Sequence, residues 1–251
     1  MDLLKQDFQK FLRYRLLTKT MTNRPDICLQ GAIIEHLRPL FILEYGPYLG
    51  GWCLFVNEVL KSNVTIYGVE NFYTHQWGNN STDVTLPSSS AELEHHIKNI
   101  SAKLFNSTID INIIGQAGSK FVSNELKFDL IRIDCASYDF NEHYNMINNS
   151  LKMLNNNGIL IIEDVTPMHF AKLHSLFEAV YQGKIFPVVY GTECIICAAD
   201  LASQEILFKK IEFLKNLLGL TVSRIRKKHI WYVGSVITMN ETVVDFDNSA
   251  V

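Results

Sequence analysis

Short apolar runs and longer stretches of helical periodicity alternate along most of this chain. Each short apolar run predicts a buried strand, and each stretch with apolar positions at helical spacing predicts a helix. The first predicted strands lie at 40–44, 64–69, 109–114, 128–133 and 159–162. The helices predicted between them lie at 51–61, 90–104, 119–126 and 141–154. This alternation predicts an α/β fold with a doubly wound, mostly parallel Rossmann-like sheet and helices on both faces.

The same pattern continues toward the C-terminus. Helices are predicted at 168–182 and 203–218, and strands at 193–199 and 229–238, which makes a seven-stranded sheet. The helix before the fifth strand is expected to end at Asn155-Asn156-Asn157-Gly158, because Asn and Gly tolerate the left-handed backbone of a helix C-terminus. No linker or repeat interrupts the pattern, so we expect one Rossmann-like domain over 39–240 and a loose tail over 241–251.

The N-terminal residues 1–38 are predicted to form a separate helical segment. Apolar residues recur at helical spacing over 1–20, and a second helix is predicted at 27–37. A segment placed ahead of the first strand can act as a lid over a site, contact a second subunit in a homodimer, or cap the sheet. The sequence leaves these three roles open.

Composition and charge narrow the class of protein. The chain has 251 residues, of which 47% are hydrophobic and 20% charged, as in soluble globular proteins. The net charge of −3 argues against a general nucleic-acid partner, which would favour a basic surplus. No apolar run is long enough to span a bilayer, the N-terminus lacks a signal-peptide pattern, and the five cysteines read as reduced, packed thiols. We therefore expect a cytoplasmic protein with no membrane partner.

The first predicted strand ends in a glycine-bearing loop, Glu44-Tyr-Gly46-Pro-Tyr48-Leu-Gly50, that leads into a helix. Glycines at this point let the backbone approach a nucleotide-type ligand at the carboxyl edge of a parallel sheet. A dinucleotide fingerprint would have glycine at Tyr48, and Glu44 would repel a pyrophosphate. The loop instead suits a ligand with a cationic amino-acid end.

Two further strand ends extend the pattern. Glu70 ends the second strand, where its carboxylate can accept both hydroxyls of a ribose, and Gly115-Gln116-Ala117 follows the third. Over roughly residues 39–200 the chain resembles the class I S-adenosylmethionine-dependent methyltransferases. The resemblance implies S-adenosylmethionine as cofactor, with Glu70 at the ribose and Gln116, where many relatives have Asp, at the adenine amino group. The cofactor-binding residues that it implies are Glu44, Gly46, Tyr48, Gly50, Glu70, Asn71, Gln116, Ala117 and Asp134.

Carboxylates also follow the fourth and fifth predicted strands. The order of strand, Asp134, helix, Gly158, strand, Glu163 and Asp164 resembles that of small-molecule O-methyltransferases, including macrocin- and cephalosporin-pathway methyltransferase-like proteins. This resemblance implies a Mg²⁺ ion held by Asp134, Glu163 and Asp164, which would orient and acidify a substrate hydroxyl. Simpler interpretations stay open, because Asp164 can cap the next helix and Glu163 can face solvent or pair with Arg132.

The sequence identifies candidate catalytic residues less directly than it identifies cofactor-binding residues. Asp134 is the first candidate, and Ser137 stands where many metal-dependent relatives have a His. If no metal binds, a general base must come from elsewhere, and His169 and His75 are the candidates by placement.

The expected function is methyl transfer from S-adenosylmethionine to a hydroxyl oxygen of a small-molecule acceptor, of the specialised-metabolite or sugar-like class, with Mg²⁺ assistance. Two alternatives stay open: a metal-independent O- or N-methyltransferase, and a catalytically silent relative that serves as an interaction domain. A nicotinamide oxidoreductase is disfavoured, since its fingerprint glycines are absent.

Overall fold

The computed structural model describes residues 10–15, 17–18, 24–61, 63–72, 87–134, 140–163, 186–190, 193–197, 221–225 and 230–234. The chain divides into two compact units, Met1–Met153 and Leu154–Val251. In the described part of the chain, no helix is long and apolar enough to cross a membrane.

The described part of the first unit contains four parallel strands. They are β1 (Phe41–Tyr45), β2 (Thr65–Glu70), β3 (Asp110–Gly115) and β4 (Phe128–Ile133), and they lie in the order β3-β2-β1-β4. Each lies within one residue of its predicted position. The strand order reverses beside β1, because β2 lies on one side of it and β4 on the other. In open α/β sheets such a reversal is the point where ligands bind, outside the carboxyl ends of the strands.

The helices that accompany this sheet in the described residues from 24 onward are α1 (Arg24–Leu37), α2 (Gly51–Leu60), α3 (Ser90–Phe105) and α4 (Phe140–Met153). α3 begins where the sequence predicts, because Ser89 Oγ accepts a hydrogen bond from the Glu92 amide at 3.3 Å, as an N-cap does. The predicted helix at 119–126 is wrong, since only a 3₁₀ turn at Gly118–Lys120 forms there. Ser123 Oγ accepts hydrogen bonds from the amides of Glu125 and Leu126, which gives that backbone an alternative to the helix.

Both faces of the first sheet are covered, as predicted. Successive side chains of a strand point to opposite faces of the sheet, so Glu44 and Tyr45 lie on different faces. Glu44 contacts Cys53 of α2, whereas Tyr45 packs beside Gly118 of the 3₁₀ turn and Met146 of α4. This double cover explains why β1 is apolar at nearly every position.

The N-terminal helical segment is anchored to the first unit within the part that the structure describes. Phe11 is 1% exposed, and its ring centroid lies 6.2 Å from that of Phe55 in α2. A Cβ added to Gly31 of α1 would lie 2.7 Å from Phe11 Cδ1, so this glycine makes room for the ring. A contact with a second subunit stays a prediction.

The second unit contains the strands β5 (Leu154–Ile162), β6 (Phe186–Tyr190), β7 (Glu193–Cys197), β8 (Thr221–Ile225) and β9 (Ile230–Gly234), in the order β5-β7-β6-β9-β8. β7 pairs antiparallel with β5 and β6, and β9 pairs parallel with β6 and antiparallel with β8.

The structure bears on three predictions made for the C-terminal part of the chain. The described residues hold nine strands in all rather than seven, because β6 and β8 were not predicted. The helix stop at 155–158 is wrong, since these polar residues belong to β5. The predicted helices at 168–182 and 203–218 and the tail at 241–251 lie outside the described residues.

Candidate functional site

Backbone hydrogen bonds tie three strand ends together at the β1/β4 reversal. The Gly46 amide donates to the Val69 carbonyl at 3.0 Å, and the Asp134 amide donates to the Tyr45 carbonyl at 3.0 Å. The β2–β3 register pairs Glu70 with Gly115, so Gln116 follows at the same edge. The predicted cofactor residues of the first unit are therefore brought to one edge of its sheet.

The glycine-bearing loop has a left-handed backbone at three positions. Gly46, Tyr48 and Gly50 have φ values of 78°, 52° and 75°. Tyr48 thus keeps a glycine-like conformation at the position where a dinucleotide fingerprint has glycine, and a left-handed non-glycine residue is a strained feature that clusters at functional sites. A Cβ on Gly50 would also lie 2.2 Å from Ile97 Cγ1 of α3, so α3 packs directly against the start of α2.

Glu70 is the acceptor at the centre of this edge. Its Oε2 accepts from the Tyr48 amide at 3.0 Å, and its Oε1 accepts from the Asn71 amide at 2.9 Å. The residue is 5% exposed, so these bonds offset the cost of burying its charge. A carboxylate has about four acceptor positions, so it can accept from more donors than these two amides.

Gln116 and Ala117 follow β3 beside the end of β2. Both are half-buried, and the Gln116 amide donates to the Ile114 carbonyl at 3.2 Å. A Cβ on Gly115 would lie 3.5 Å from Phe72 Cε2, so the Phe72 ring lies close to this turn. An aromatic side chain therefore accompanies the residues that were predicted to meet adenine.

Glu44, which was predicted to face the cationic end of the cofactor, is 1% exposed. Its Oε1 accepts from Nη1 of Arg132, and its Oε2 accepts from the Cys53 thiol at 2.9 Å. Burial, and then the Glu44 carboxylate, raise the pKa of Cys53 well above its ordinary value, although Arg132 lowers it. The thiol therefore stays protonated and donates. A direct role for Glu44 at the cofactor stays a prediction, and the structure shows its carboxylate engaged inside the protein.

Arg132 is the residue of this site that sequence reasoning missed. Its Nη2 donates to Asp134 Oδ2 at 2.6 Å, and its guanidinium carbon lies 5.0 Å from the centre of the Trp52 ring. Its guanidinium pairs with Glu44 of β1 and with Asp134 at the end of β4, and the pairing with Glu163 that the sequence suggested stays a prediction. The available signal was a basic residue inside an apolar strand, together with an acidic residue at the end of a strand expected beside it.

The roles of the remaining predicted residues stay predictions. Glu163 is half-buried after β5 in the second unit, while Asp164, His75 and His169 lie outside the described residues. Among the residues that the structure describes, no group of three His, Cys, Asp or Glu side chains is arranged to hold a metal ion. Asp134 is an oxygen donor suited to Mg²⁺, and the set of three ligands stays a prediction.

No protein-family model and no curated protein sequence matches the chain. Solved structures do resemble it. A methyltransferase from Geobacter sulfurreducens is 10% identical, with a TM-score of 0.49 over 78% of this chain and 89% of the other. The O-methyltransferase TomG from Streptomyces achromogenes, involved in tomaymycin synthesis and solved with S-adenosylmethionine, is 12% identical, with a TM-score of 0.47 over 77% and 90%. The methyltransferase PaMTH1 from Podospora anserina, solved with S-adenosylhomocysteine, is 16% identical, with a TM-score of 0.45 over 78% and 88%. All three of these solved structures are methyltransferases.

Proposed function

We propose that this protein transfers a methyl group from S-adenosylmethionine to a hydroxyl oxygen of a small-molecule acceptor, of the specialised-metabolite or sugar-like class, with Mg²⁺ assistance. The observation that carries the proposal is the Glu70 carboxylate, held by the Tyr48 and Asn71 amides at the carboxyl edge beside the β1/β4 reversal.

The charge of this edge selects the kind of nucleotide. Glu70 and Asp134 place carboxylates at the edge, and Glu44 lies buried beneath it. A pyrophosphate would be repelled by these groups, whereas an adenosyl ligand with a free ribose diol and a cationic amino-acid end is attracted. The left-handed loop from Gly46 to Gly50 lets the backbone lie close to such a ligand.

When bound, S-adenosylmethionine supplies an electrophilic methyl group. The chain needs to bind and align the cofactor, exclude water and receive a proton, because displacement at a methyl carbon depends mainly on alignment. Glu70 would hold the ribose, and Gln116 with Phe72 would lie near the base. Asp134 is the predicted catalytic residue that the structure describes, and it would accept or orient the proton of the acceptor hydroxyl. His75 and His169 stay candidates for the same task.

Mg²⁺, when bound, would lower the pKa of an acceptor hydroxyl. Asp134 is the ligand that the first unit offers, and Glu163 and Asp164 are the further predicted ligands. A metal-independent O- or N-methyltransferase is the second candidate function. The observation that favours it is the ion pair between Arg132 and Asp134 Oδ2 at 2.6 Å, since the guanidinium already occupies one of the two oxygens that an ion would use.

Calorimetric titration with S-adenosylhomocysteine, with and without MgCl₂, tests the proposal on the wild type and on Asp134→Ala. The matched control is Asp110→Ala, which removes an exposed carboxylate from the opposite end of the sheet. We expect binding to the wild type and the control, and weaker binding to Asp134→Ala. Absence of binding to the wild type would exclude the methyltransferase and favour the silent interaction domain. Methyl transfer that proceeds at full rate in excess EDTA would exclude the role of Mg²⁺ alone.

A further inference from the structure

Arg132 shares one guanidinium between carboxylates from two strands. Nη1 is paired with Glu44 of β1, and Nη2 with Asp134 at the end of β4. The arginine is 1% exposed, which places it among the largest fully buried side chains of the described residues. A buried charge of this size persists only when it is paired and its donors are satisfied.

The sheet and two helices fix the orientation of this guanidinium. Glu44 and Arg132 are register partners across β1 and β4, and Asp134 lies two residues further on, on the same side as Arg132. The ring of Trp52 from α2 lies 5.0 Å from the guanidinium carbon, and its Nε1 donates to Gln30 Oε1 of α1 at 2.6 Å. A planar guanidinium can bind two carboxylates in fixed directions, which a lysine ammonium cannot do equally well.

The three charged groups leave one net negative charge, because two carboxylates share one guanidinium. Only Asp134 is open to solvent, with a side-chain exposure of 31% against 1% for Glu44 and 1% for Arg132. Arg132 takes Oδ2, and Oδ1 has no partner within the part of the chain that the structure describes. The group therefore offers one carboxylate oxygen at the edge of the sheet.

We propose that Arg132 is a positioning residue for the cofactor site. It holds Asp134 through Oδ2, so that Oδ1 receives the α-ammonium group of the cofactor, and Glu44 acts through Arg132 by fixing the guanidinium. The inference rests on the proposed function, and among the tasks predicted for Asp134 it selects the contact with the cofactor rather than that of base or Mg²⁺ ligand. It assigns a task to the buried pair that neither the glycine-bearing loop nor Glu70 performs.

A pair of ligands separates positioning from folding. S-Adenosylhomocysteine carries the α-ammonium group, whereas 5′-methylthioadenosine has the same nucleoside and lacks the amino-acid end. The informative variant is Glu44→Gln/Arg132→Met, which removes both members of the buried pair and leaves Asp134 with the same single negative charge. Removal of both partners avoids an uncompensated buried carboxylate. Asp134→Asn serves as the reference for complete loss of the charge.

Dissociation constants of both ligands are measured by calorimetry in EDTA, so that no divalent ion contributes. We expect the double variant to bind S-adenosylhomocysteine on the order of tenfold more weakly, as when an orienting partner is removed from a binding side chain. Its affinity for 5′-methylthioadenosine should stay within about twofold, since that ligand does not reach Asp134. The ratio of the two dissociation constants should change at least as much in Asp134→Asn.

Three results would overturn the inference. An unchanged ratio of the two constants in the double variant would mean that Arg132 does not position Asp134. Equal weakening of both ligands would assign Arg132 a structural role alone. If the wild type binds neither ligand, the proposed function fails and the inference fails with it. Should the double variant not fold, Arg132→Lys keeps the charge but not the two-sided geometry, and the same selective loss is expected.

Discussion

At the scale of single residues, Gly50 carries two separate constraints. Its φ of 75° is a conformation that side chains other than glycine rarely adopt, and an added Cβ would lie 2.2 Å from Ile97 Cγ1. The first constraint comes from the loop that carries Tyr48, and the second from the packing of α3. Both act on the residue that joins the candidate site to α2.

We predict that Gly50→Ala lowers the free energy of unfolding by about 2–4 kcal/mol, from left-handed strain and overpacking together. The matched control is Gly51→Ala at the first residue of α2, which has no positive φ and should be neutral or slightly stabilising. Urea denaturation of both variants gives the measurement. Equal midpoints for the two would mean that neither constraint operates at Gly50.

The residues of the site differ in how far the sequence reveals them. Gly46 and Glu70 follow apolar strands directly, so local pattern is enough to predict that they lie at the carboxyl edge. The bridge from Glu44 through Arg132 to Asp134 depends on which strands are neighbours and in which register. Local pattern contains neither fact, because the members are 88 positions apart in the chain.

At the scale of elements, the N-terminal helical segment depends on one side chain. Phe11 lies between Gly31 of α1 and Phe55 of α2, whereas Leu17, further along the segment, is 39% exposed. The lid, cap and dimer roles all remain compatible with a helix that is docked at Phe11.

We predict that Phe11→Ala destabilises the protein by about 3–5 kcal/mol, the range for loss of a buried aromatic side chain. Leu17→Ala should change the free energy of unfolding by no more than about 0.5 kcal/mol, because it removes an exposed group from the same segment. The midpoints of urea denaturation measure the change in stability of both variants. If Phe11→Ala costs no more than Leu17→Ala, the segment is not anchored through this ring.

A hydrogen bond between Ser107 and Glu58 joins the C-terminal ends of α3 and α2. Glu58 of α2 is 6% exposed, and Ser107 Oγ donates to its Oε1 at 3.3 Å. Burial raises the pKa of Glu58 above its ordinary value of 4.5, against smaller opposing effects of Ser107 and Lys61. For an acid with a raised pKa, the folded state favours the protonated form. The stability that this form contributes is complete below pH 4.5 and is lost as the pH rises through the raised value.

Glu58→Gln imitates the protonated form, so we predict that it is more stable than the wild type at about pH 8 and equally stable at about pH 4. The gain should develop as the pH rises through the raised pKa and stay constant above it. Urea midpoints of the two proteins across this range provide the measurement. A difference that does not change with pH, or a variant that is less stable throughout, would contradict the assigned cause.

Where the sequence mispredicted elements, side chains or distant pairing outweighed local propensity. Ser123 satisfies two amides after the 3₁₀ turn and so replaces a helix that apolar periodicity had suggested. Residues 155–158 have the Asn and Gly composition of a helix stop, yet they form part of β5. β-Propensity depends on neighbours in the sheet, and these are invisible to a local reading.

At the scale of the whole molecule, alternation of strands and helices was enough to predict the first unit. Right-handed crossovers leave few ways to arrange parallel strands joined by helices, so the pattern carries topological information. The second unit is different, because β5 to β9 are largely antiparallel and two of them were not predicted. Antiparallel neighbours can be joined by short turns, and strand order then depends on packing rather than on the linking element.

Ligand binding should raise the thermal stability of the whole protein. A ligand at one hundred times its dissociation constant stabilises the folded state by about 2.7 kcal/mol, which corresponds to a Tm increase of roughly 5–10 °C. We expect this shift from S-adenosylhomocysteine and none from NAD, whose pyrophosphate would meet the carboxylate of Asp134 at this edge. Glu70→Gln should lose most of the shift, while the exposed control Glu125→Gln should keep it. Thermal scans provide the measurement. Stabilisation by NAD would show that the edge does not exclude a pyrophosphate, and an undiminished shift in Glu70→Gln would show that Glu70 does not bind the ribose.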